Sequence, residues 1–83
     1  MTTMTQDANH RYRELVGRNI VRGREAAEPP ISQNRFAIAL GIDRRHLSRW
    51  ERGVVLPSPL HLERIAEALG QPLAYFVTDH DEE

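Results

Sequence analysis

Residues 32–53 read SQNRFAIALGIDRRHLSRWERG, and their pattern is the main indication of the fold. Its apolar residues recur at helical spacings on both sides of Gly41, so we expect two short helices joined by a glycine turn. The apolar positions, which can form a core, are Phe36, Ala37, Leu40, Ile42, Leu47 and Trp50. The positions between them in the later helix are polar, namely Arg44, Arg45, His46, Ser48 and Arg49. That helix therefore has one face for the core and one face for a ligand.

The chain before this stretch has the pattern of one long helix. We expect the helix to run from about His10 to Ala27, with Asn9 as its cap and an apolar stripe on one face. The stripe consists of Tyr12, Leu15, Val16 and Ile20. The helix ends before residues 28–30, Glu-Pro-Pro, because proline lacks a backbone donor and disfavours a helical residue before it. Residues 1–9 do not have the pattern of a signal peptide and are predicted to form a disordered arm.

Caps and helix breakers divide the rest of the chain. The predicted caps are Ser32, Asp43 and Ser58, which open helices over Gln33–Leu40, over Arg44–Arg52 and from Pro59 onward. The core face of that last helix is Leu62, Ile65, Ala66 and Leu69. Pro72 starts a short final helix, in which Leu73 and Phe76 are expected to point inward. Residues 10–78 are thus predicted to form one all-α domain of four to five helices, followed by an acidic tail over residues 79–83.

Length and composition exclude several classes of function. A chain of 83 residues with 40% hydrophobic residues has room for one small domain. It contains no cysteine, and its four histidines show no ligand spacing, so we expect no metal site and no cofactor. It also lacks a glycine-rich phosphate loop and any recognisable nucleophile set, so we do not expect an enzyme. Its apolar runs are too short to span a bilayer, which favours a cytoplasmic protein without a membrane partner.

Positive charge is concentrated in residues 31–52, which include the two short predicted helices. The formal net charge of the whole chain is -1. Residues 31–52 carry five arginines against Asp43 and Glu51, whereas residues 53–83 carry only Arg64 against six acidic residues. A local positive field attracts phosphates even when the whole molecule is slightly acidic. A short helix with an exposed arginine face, held at an angle by a second helix, also fits the major groove of DNA.

Four segments carry a resemblance to a known family. SQNRFA, GID, LSRWERG and IAEALGQPL together resemble the Cro-like, lambda-repressor-like (XRE) helix-turn-helix proteins, over roughly residues 15–76. The resemblance implies a compact bundle with the helix-turn-helix in its second and third helices. It also implies a transcriptional regulator, usually a repressor, that binds a two-fold operator in double-stranded DNA as a homodimer.

The same resemblance assigns site residues at the matching positions. The residues it implies for base reading are Arg44, Arg45, Ser48 and Arg49. The residues it implies for phosphate contacts are Gln33, Asn34, Arg35, His46 and Arg52. Gln33 would act through its side chain and through its backbone amide at the helix N-terminus, where the helix dipole favours an anion.

Three further residues are interpreted as structural braces. Trp50 follows Leu47 by three positions and is expected to pack the third helix onto the bundle. The resemblance implies that Glu51 pairs with Arg24 of the first helix. Replacing either partner alone is expected to destabilise the fold, because a partly buried charge is then left unpaired.

The chain also departs from the family pattern. The linker between the first two helices, AAEPPIS, is about two residues longer than usual, which bears on the Arg24 assignment. A loop that is often basic in relatives is apolar here, and its residues are candidate dimer contacts together with Tyr75. The loop residues are Val54, Val55 and Leu56. Packing within the protomer is the alternative for this loop. Ile38 is either a second contact surface or a tolerated exposed isoleucine.

A competing function belongs to another class. The same fold could act as a protein-binding module, such as an antitoxin. The three arginines of the third helix favour a polyanion over a protein groove. Among regulators, the resemblance is compatible with a phage or plasmid repressor, a restriction-modification controller or an autoregulating antitoxin. The sequence indicates no pocket for a small-molecule effector.

Overall fold

A computed structural model describes residues 2–82 of the chain. These residues form four α-helices followed by two short 3₁₀ helices, and they contain no strand. The α-helices are α1 (Thr2–Ala26), α2 (Gln33–Leu40), α3 (Arg44–Glu51) and α4 (Pro59–Leu69), and the 3₁₀ helices are Leu73–Val77 and His80–Glu82. The predicted all-α bundle is therefore confirmed. Within this range, no helix combines the length and the apolar character needed to cross a membrane.

One hydrophobic core joins all four α-helices and the first 3₁₀ helix. Its buried side chains are Val16, Ile20, Phe36, Ala37, Leu47, Trp50, Ile65, Ala66 and Phe76. Leu40 and Ile42, which flank the glycine turn, are partly buried against it. Burial of a large apolar side chain contributes about 1.5–3 kcal/mol, so these contacts hold α3 against α1 and hold α2 against α3 and α4.

Each cap predicted for the three shorter helices is present. The Ser32 hydroxyl accepts a hydrogen bond from the Arg35 backbone N–H at 3.1 Å, and the Asp43 carboxylate accepts one from the Arg45 backbone N–H at 2.9 Å. The Ser58 hydroxyl does the same for α4. Gly41 ends α2 with φ of 71°, a left-handed conformation that costs glycine little. The turn between α2 and α3 is thereby fixed by local chemistry. Helix α3 ends at Glu51, one residue earlier than expected.

Helix α1 begins much earlier than the sequence pattern predicted. It begins at Thr2 rather than at about His10, and Asn9 lies inside the helix instead of capping it. The structure thus places residues 2–9 in this helix, where the sequence predicted a disordered arm over residues 1–9, and Met1 lies outside the described residues. Residues 2–9 contain neither glycine nor proline, so nothing in them stops the helix from extending.

The C-terminal segment folds back onto α1. The buried Asn19 amide donates two hydrogen bonds of 2.9 Å, to the carbonyls of Phe76 and Thr78. Asp81 then forms an ion pair with Arg22. The acidic tail predicted for residues 79–83 is therefore attached to the bundle as far as Asp81, and Glu83 lies outside the described residues. These contacts join positions more than fifty residues apart, which a local pattern does not predict.

The final predicted helix is a 3₁₀ helix with only one of its two expected core residues. Phe76 is fully buried, as predicted, whereas Leu73 is 46% exposed. Pro72 lies just before the helix as its cap residue rather than at its first position. A 3₁₀ helix repeats every three residues, so Leu73 would be expected on the same side as Phe76. Leu73 instead lies at the rim of the core, beside a surface groove.

Candidate nucleic-acid interface

The exposed face of α3 carries the residues predicted to read bases. Leu47 and Trp50 point into the core, so the residues on the opposite side of this helix face solvent. Those residues are Arg44, Arg45, Ser48 and Arg49, of which the arginines are exposed and Ser48 is half-buried. Spacings of one and four residues place them on one continuous surface, and Arg52 follows Ser48 by one helical turn.

Two of these arginines have no internal partner. Arg44 and Arg49 make no side-chain hydrogen bond or ion pair with any residue in the described part of the chain. Arg52 differs, because its Nε donates to the Ser48 hydroxyl at 3.3 Å. The free guanidinium groups keep all five donors for an external acceptor. Planar donor pairs of this kind match a guanine edge or a phosphate group.

Arg45 has a neighbour of opposite charge. Its Nη2 lies 3.5 Å from Asp43 Oδ2, while Asp43 Oδ1 accepts the hydrogen bond that caps α3. The backbone N–H of Arg45, followed by its guanidinium group, holds the pKa of Asp43 below its ordinary value. Asp43 therefore stays ionised next to the arginine face. The sequence indicated the cap but not the contact with the side chain.

Trp50 packs the buried face of α3 against α4. The indole is 2% exposed and lies between two histidines. The ring of His46, also on α3, meets it edge-on at a centroid distance of 5.4 Å, and the ring of His61 on α4 lies 5.1 Å away. The Ser58 hydroxyl is 2.9 Å from His61 Nδ1 and fixes that ring in turn. The expected core position of Trp50 is thus observed.

Arg24 and Glu51 form the ion pair that was expected from the sequence. Arg24 donates to both carboxylate oxygens, with distances of 2.7 and 2.9 Å, and its Nη1 also donates to the Ile31 carbonyl at 2.9 Å. A third group completes the network, because Gln33 Nε2 donates to Glu51 Oε1 at 2.8 Å. The longer linker has not displaced this pair. It joins α1, the linker and the N-terminus of α2 to the C-terminal end of α3.

Comparison with known families decides what kind of protein presents this surface. The helix-turn-helix family model matches residues 31–76, which is more than half of the chain and spans α2, α3 and α4. The chain belongs to the helix-turn-helix family. It is a DNA-binding regulator of the Cro-like, lambda-repressor-like (XRE) type, as the sequence resemblance implied. A search of curated proteins found no match for the chain.

The helix-turn-helix protein uses the Gln33 side chain internally. Its amide is bound to Glu51, so a phosphate contact by this residue falls mainly to its backbone N–H. The backbone N–H groups of Gln33 and Asn34 have no partner in the described part of the chain. Both groups lie at the start of α2, where the helix dipole favours an anion. A phosphate contact at this helix end remains a prediction.

Arg35 lies apart from the other predicted phosphate contacts. It borders a surface hollow formed by the linker over residues 27–31 and by Ala68 of α4. Gln33, by contrast, is tied to Glu51 at the end of α3. Arg35 therefore lies beside the linker and α4, and its contact with a phosphate stays a prediction.

The candidate dimer contacts divide into two groups. The loop residues are exposed, with Val54 at 55%, Val55 at 41% and Leu56 at 39%. Tyr75 is partly buried, and its ring packs against the rings of Phe76 and His80. The loop is therefore available to a second subunit, whereas the Tyr75 ring is largely occupied within the protomer.

Proposed function

We propose that this protein is a sequence-specific regulator of transcription, acting as a repressor in the cytoplasm. It would bind double-stranded DNA as a homodimer, with α3 of each subunit in the major groove of one half-site. The observation that carries the proposal is the face of α3, where Arg44 and Arg49 extend into solvent without an internal partner. Membership of the helix-turn-helix family supports the DNA-binding role. The exposed arginines support base preference, because arginine forms paired hydrogen bonds with guanine.

The proposed contacts follow the two faces of the helix-turn-helix. Arg44, Arg45 and Arg49 would read base edges, with Ser48 beside them. Phosphate contacts would come from Arg52, His46 and the free backbone N–H groups of Gln33 and Asn34. Arg52 is suited to this role because Ser48 holds its Nε and leaves its terminal nitrogens for an anion.

Charge supports specific binding over general attraction to DNA. Residues 31–52 have a formal charge of +3, whereas residues 53–83 have a formal charge of -5. Part of the acidic charge is already paired, since Asp81 contacts Arg22 of α1. The acidic residues that remain unpaired in residues 53–83 repel phosphates, so base contacts and two-fold pairing would supply most of the affinity.

An apolar groove supports the proposed dimer. It lies between α1, the loop after α3, α4 and the first 3₁₀ helix, and its partly exposed apolar side chains are Tyr12, Leu56, Leu73 and Val77. Val54 and Val55 extend the apolar surface along the loop. Contiguous exposed apolar surface of this kind is typical of an association site. An isologous contact there would relate the two subunits by a two-fold axis.

Selection from a random duplex library tests the DNA-binding proposal. The purified protein is incubated with the library at several salt concentrations, and the bound duplexes are sequenced. We expect enrichment of a two-fold symmetric sequence whose half-sites are centred about 34 Å apart, one helical turn. If every sequence is retained equally at all salt concentrations, the protein is not a sequence-specific regulator. A module that binds only protein would retain no duplex.

A matched pair of variants tests the proposed dimer surface. Val77→Glu places a charge in the groove, and Ile38→Glu places the same charge at an apolar side chain that is 71% exposed on α2. Light scattering is expected to give a dimer for the wild type and for Ile38→Glu, and a monomer for Val77→Glu. A dimer that only Ile38→Glu disrupts would place the interface on α2 instead.

A further inference from the structure

The two carboxylate oxygens of Asp43 are used differently. Oδ1 accepts the Arg45 backbone N–H at 2.9 Å, which is the cap of α3. Oδ2 lies 3.5 Å from Nη2 of the same arginine. One acidic group therefore touches both the backbone and the side-chain tip of a residue that faces the proposed DNA. Neither Arg44 nor Arg49 has such a neighbour in the described part of the chain.

This contact contributes little to the stability of the fold. The Arg45 side chain is 87% exposed and that of Asp43 is 58% exposed, and solvent screens ion pairs of this kind. Capping a helix does not require a charged side chain either. Ser32 and Ser58 cap α2 and α4 through neutral hydroxyls. Among α2, α3 and α4, the helix capped by a carboxylate is α3, which would approach a polyanion.

A carboxylate at this place repels phosphates, so its presence opposes general attraction to DNA. It also restricts the arginine beside it. An arginine side chain loses considerable rotamer freedom when it is fixed against a base, and a neighbour that limits this freedom beforehand reduces the loss on binding. The pair strengthens as water leaves the interface, because the local dielectric constant falls. The guanidinium group still has further donors for a base edge.

We infer that Asp43 is a positioning residue for Arg45, which restricts the guanidinium group before DNA binds and makes its base contact more selective. The inference rests on the proposed function, and it adds a specificity-determining residue that does not itself contact the base. It implies that a neutral residue at position 43 has opposite effects on two quantities. Affinity for unrelated DNA rises, because a negative charge is gone, whereas discrimination at the base pair read by Arg45 falls.

The test uses three variants on the duplex that the wild type selects. Arg45→Ala first identifies the base pair that this arginine reads. Asp43→Asn and Asp43→Ser then keep a neutral cap on α3, as the serines do on the other helices. Binding of each variant is measured on the selected duplex, on the same duplex changed at that base pair, and on an unrelated duplex. Asp81→Asn is the control, since it removes a carboxylate of equal charge on the C-terminal segment.

The expected result for Asp43→Asn is a loss of discrimination at that base pair of roughly threefold to tenfold, with tighter binding to the unrelated duplex. Asp43→Ser is expected to behave in the same way, and Asp81→Asn to leave discrimination unchanged. If Asp43→Asn binds every duplex more tightly by the same factor, Asp43 affects only the general attraction to DNA, and the inference is overturned. Altered preference at a different base pair would make Asp43 a direct base contact and would also overturn it.

Two outcomes separate this inference from the function on which it rests. If Arg45→Ala loses no base discrimination, both the base-reading role of Arg45 and the inference fail. If Arg45→Ala loses discrimination and Asp43→Asn does not, only the inference fails. NMR relaxation of the arginine Nε–H groups gives a measurement without DNA. Arg45 is expected to be more ordered than Arg44 in the wild type and equally mobile in Asp43→Asn, and equal mobility in the wild type would contradict the inference.

Discussion

Arg24 and Glu51 form a bidentate ion pair between α1 and α3, with N···O distances of 2.7 and 2.9 Å. Their side chains are 11% and 5% exposed, and Gln33 at the start of α2 donates to the same carboxylate. Two parallel hydrogen bonds fix the orientation of both groups. The direction in which α3 presents its arginines therefore depends on a contact that lies outside the proposed base-reading face.

Removing the cation of this pair is expected to destabilise the fold strongly. Arg24→Met keeps a long side chain but leaves the Glu51 carboxylate buried without its main partner. An unpaired buried charge costs about 3 kcal/mol, so the free energy of unfolding in urea is expected to fall by about that amount. Arg22→Gln is the control, because it breaks the exposed pair with Asp81 and is expected to cost less than about 1 kcal/mol. Equal losses for the two variants would contradict the assigned role of Arg24.

Gly17 is expected to tolerate no side chain. A Cβ at this position would lie 2.5 Å from the Trp50 carbonyl oxygen and 2.6 Å from that of Glu51, so Gly17→Ala must push α1 away from the end of α3. Overpacking of this kind costs about 1–3 kcal/mol, which thermal melting followed by circular dichroism measures.

Gly23→Ala supplies the control on the same helix. The new Cβ would come within 2.8 Å of the flexible end of Leu69 and would lie in ordinary contact with Tyr75 Cε1 at 3.7 Å. Alanine also favours a helix by about 1 kcal/mol over glycine. We expect little change in melting temperature. A loss as large as that of Gly17→Ala would show that close approach to α3 is not what requires glycine at position 17.

The Asp43 carboxyl is expected to titrate below its ordinary pKa of 3.8, because the Arg45 backbone N–H and then its guanidinium group favour the ionised form. A lowered pKa in the folded state means that Asp43 adds stability above its unfolded pKa and that this stability is lost as pH falls through the folded pKa. NMR titration of the side-chain carboxyl carbon measures the shift. In Arg45→Ala the pKa is expected to rise only in part, since the backbone hydrogen bond remains. A wild-type pKa at or above 3.8 would contradict the capping geometry.

Arg52 is expected to act on DNA affinity without changing sequence preference. Arg52→Gln removes a proposed phosphate contact, so binding should weaken to a similar degree on every duplex. The slope of log affinity against log salt concentration should fall by about one. Fluorescence anisotropy at several salt concentrations measures both quantities. A change in base preference with an unaltered slope would instead make Arg52 a base reader.

Local chemistry explains why much of the fold was predictable from the sequence. Ser32, Asp43 and Gly41 act within a few residues of their own positions, so the bounds of α2 and the start of α3 follow from their types. The core face of α3 is equally local, because Leu47 and Trp50 lie three residues apart on one side of the helix.

The features that sequence reasoning missed depend on distant contacts. Gln33 was assigned to phosphate, which stays a prediction, and its bond to Glu51, eighteen residues later, was not predicted. Asp81 was placed in a free tail, and it pairs with Arg22, fifty-nine residues earlier. Partners of long polar side chains depend on how elements pack, which spacing along the chain does not record. The early start of α1 differs, because residues 2–9 carry no stop signal, and the disordered arm was inferred from the lack of a signal-peptide pattern alone.

Combining Arg49→Ala with base substitutions tests whether the α3 arginines read base edges. Wild type and variant are titrated against the selected duplex and against duplexes changed at one base pair at a time, with melting temperatures measured in parallel. We expect Arg49→Ala to lose discrimination of about 1–3 kcal/mol at one base pair only, with thermal stability nearly unchanged. An equal loss of affinity on all duplexes, with every base preference retained, would contradict this expectation and would make Arg49 a phosphate contact.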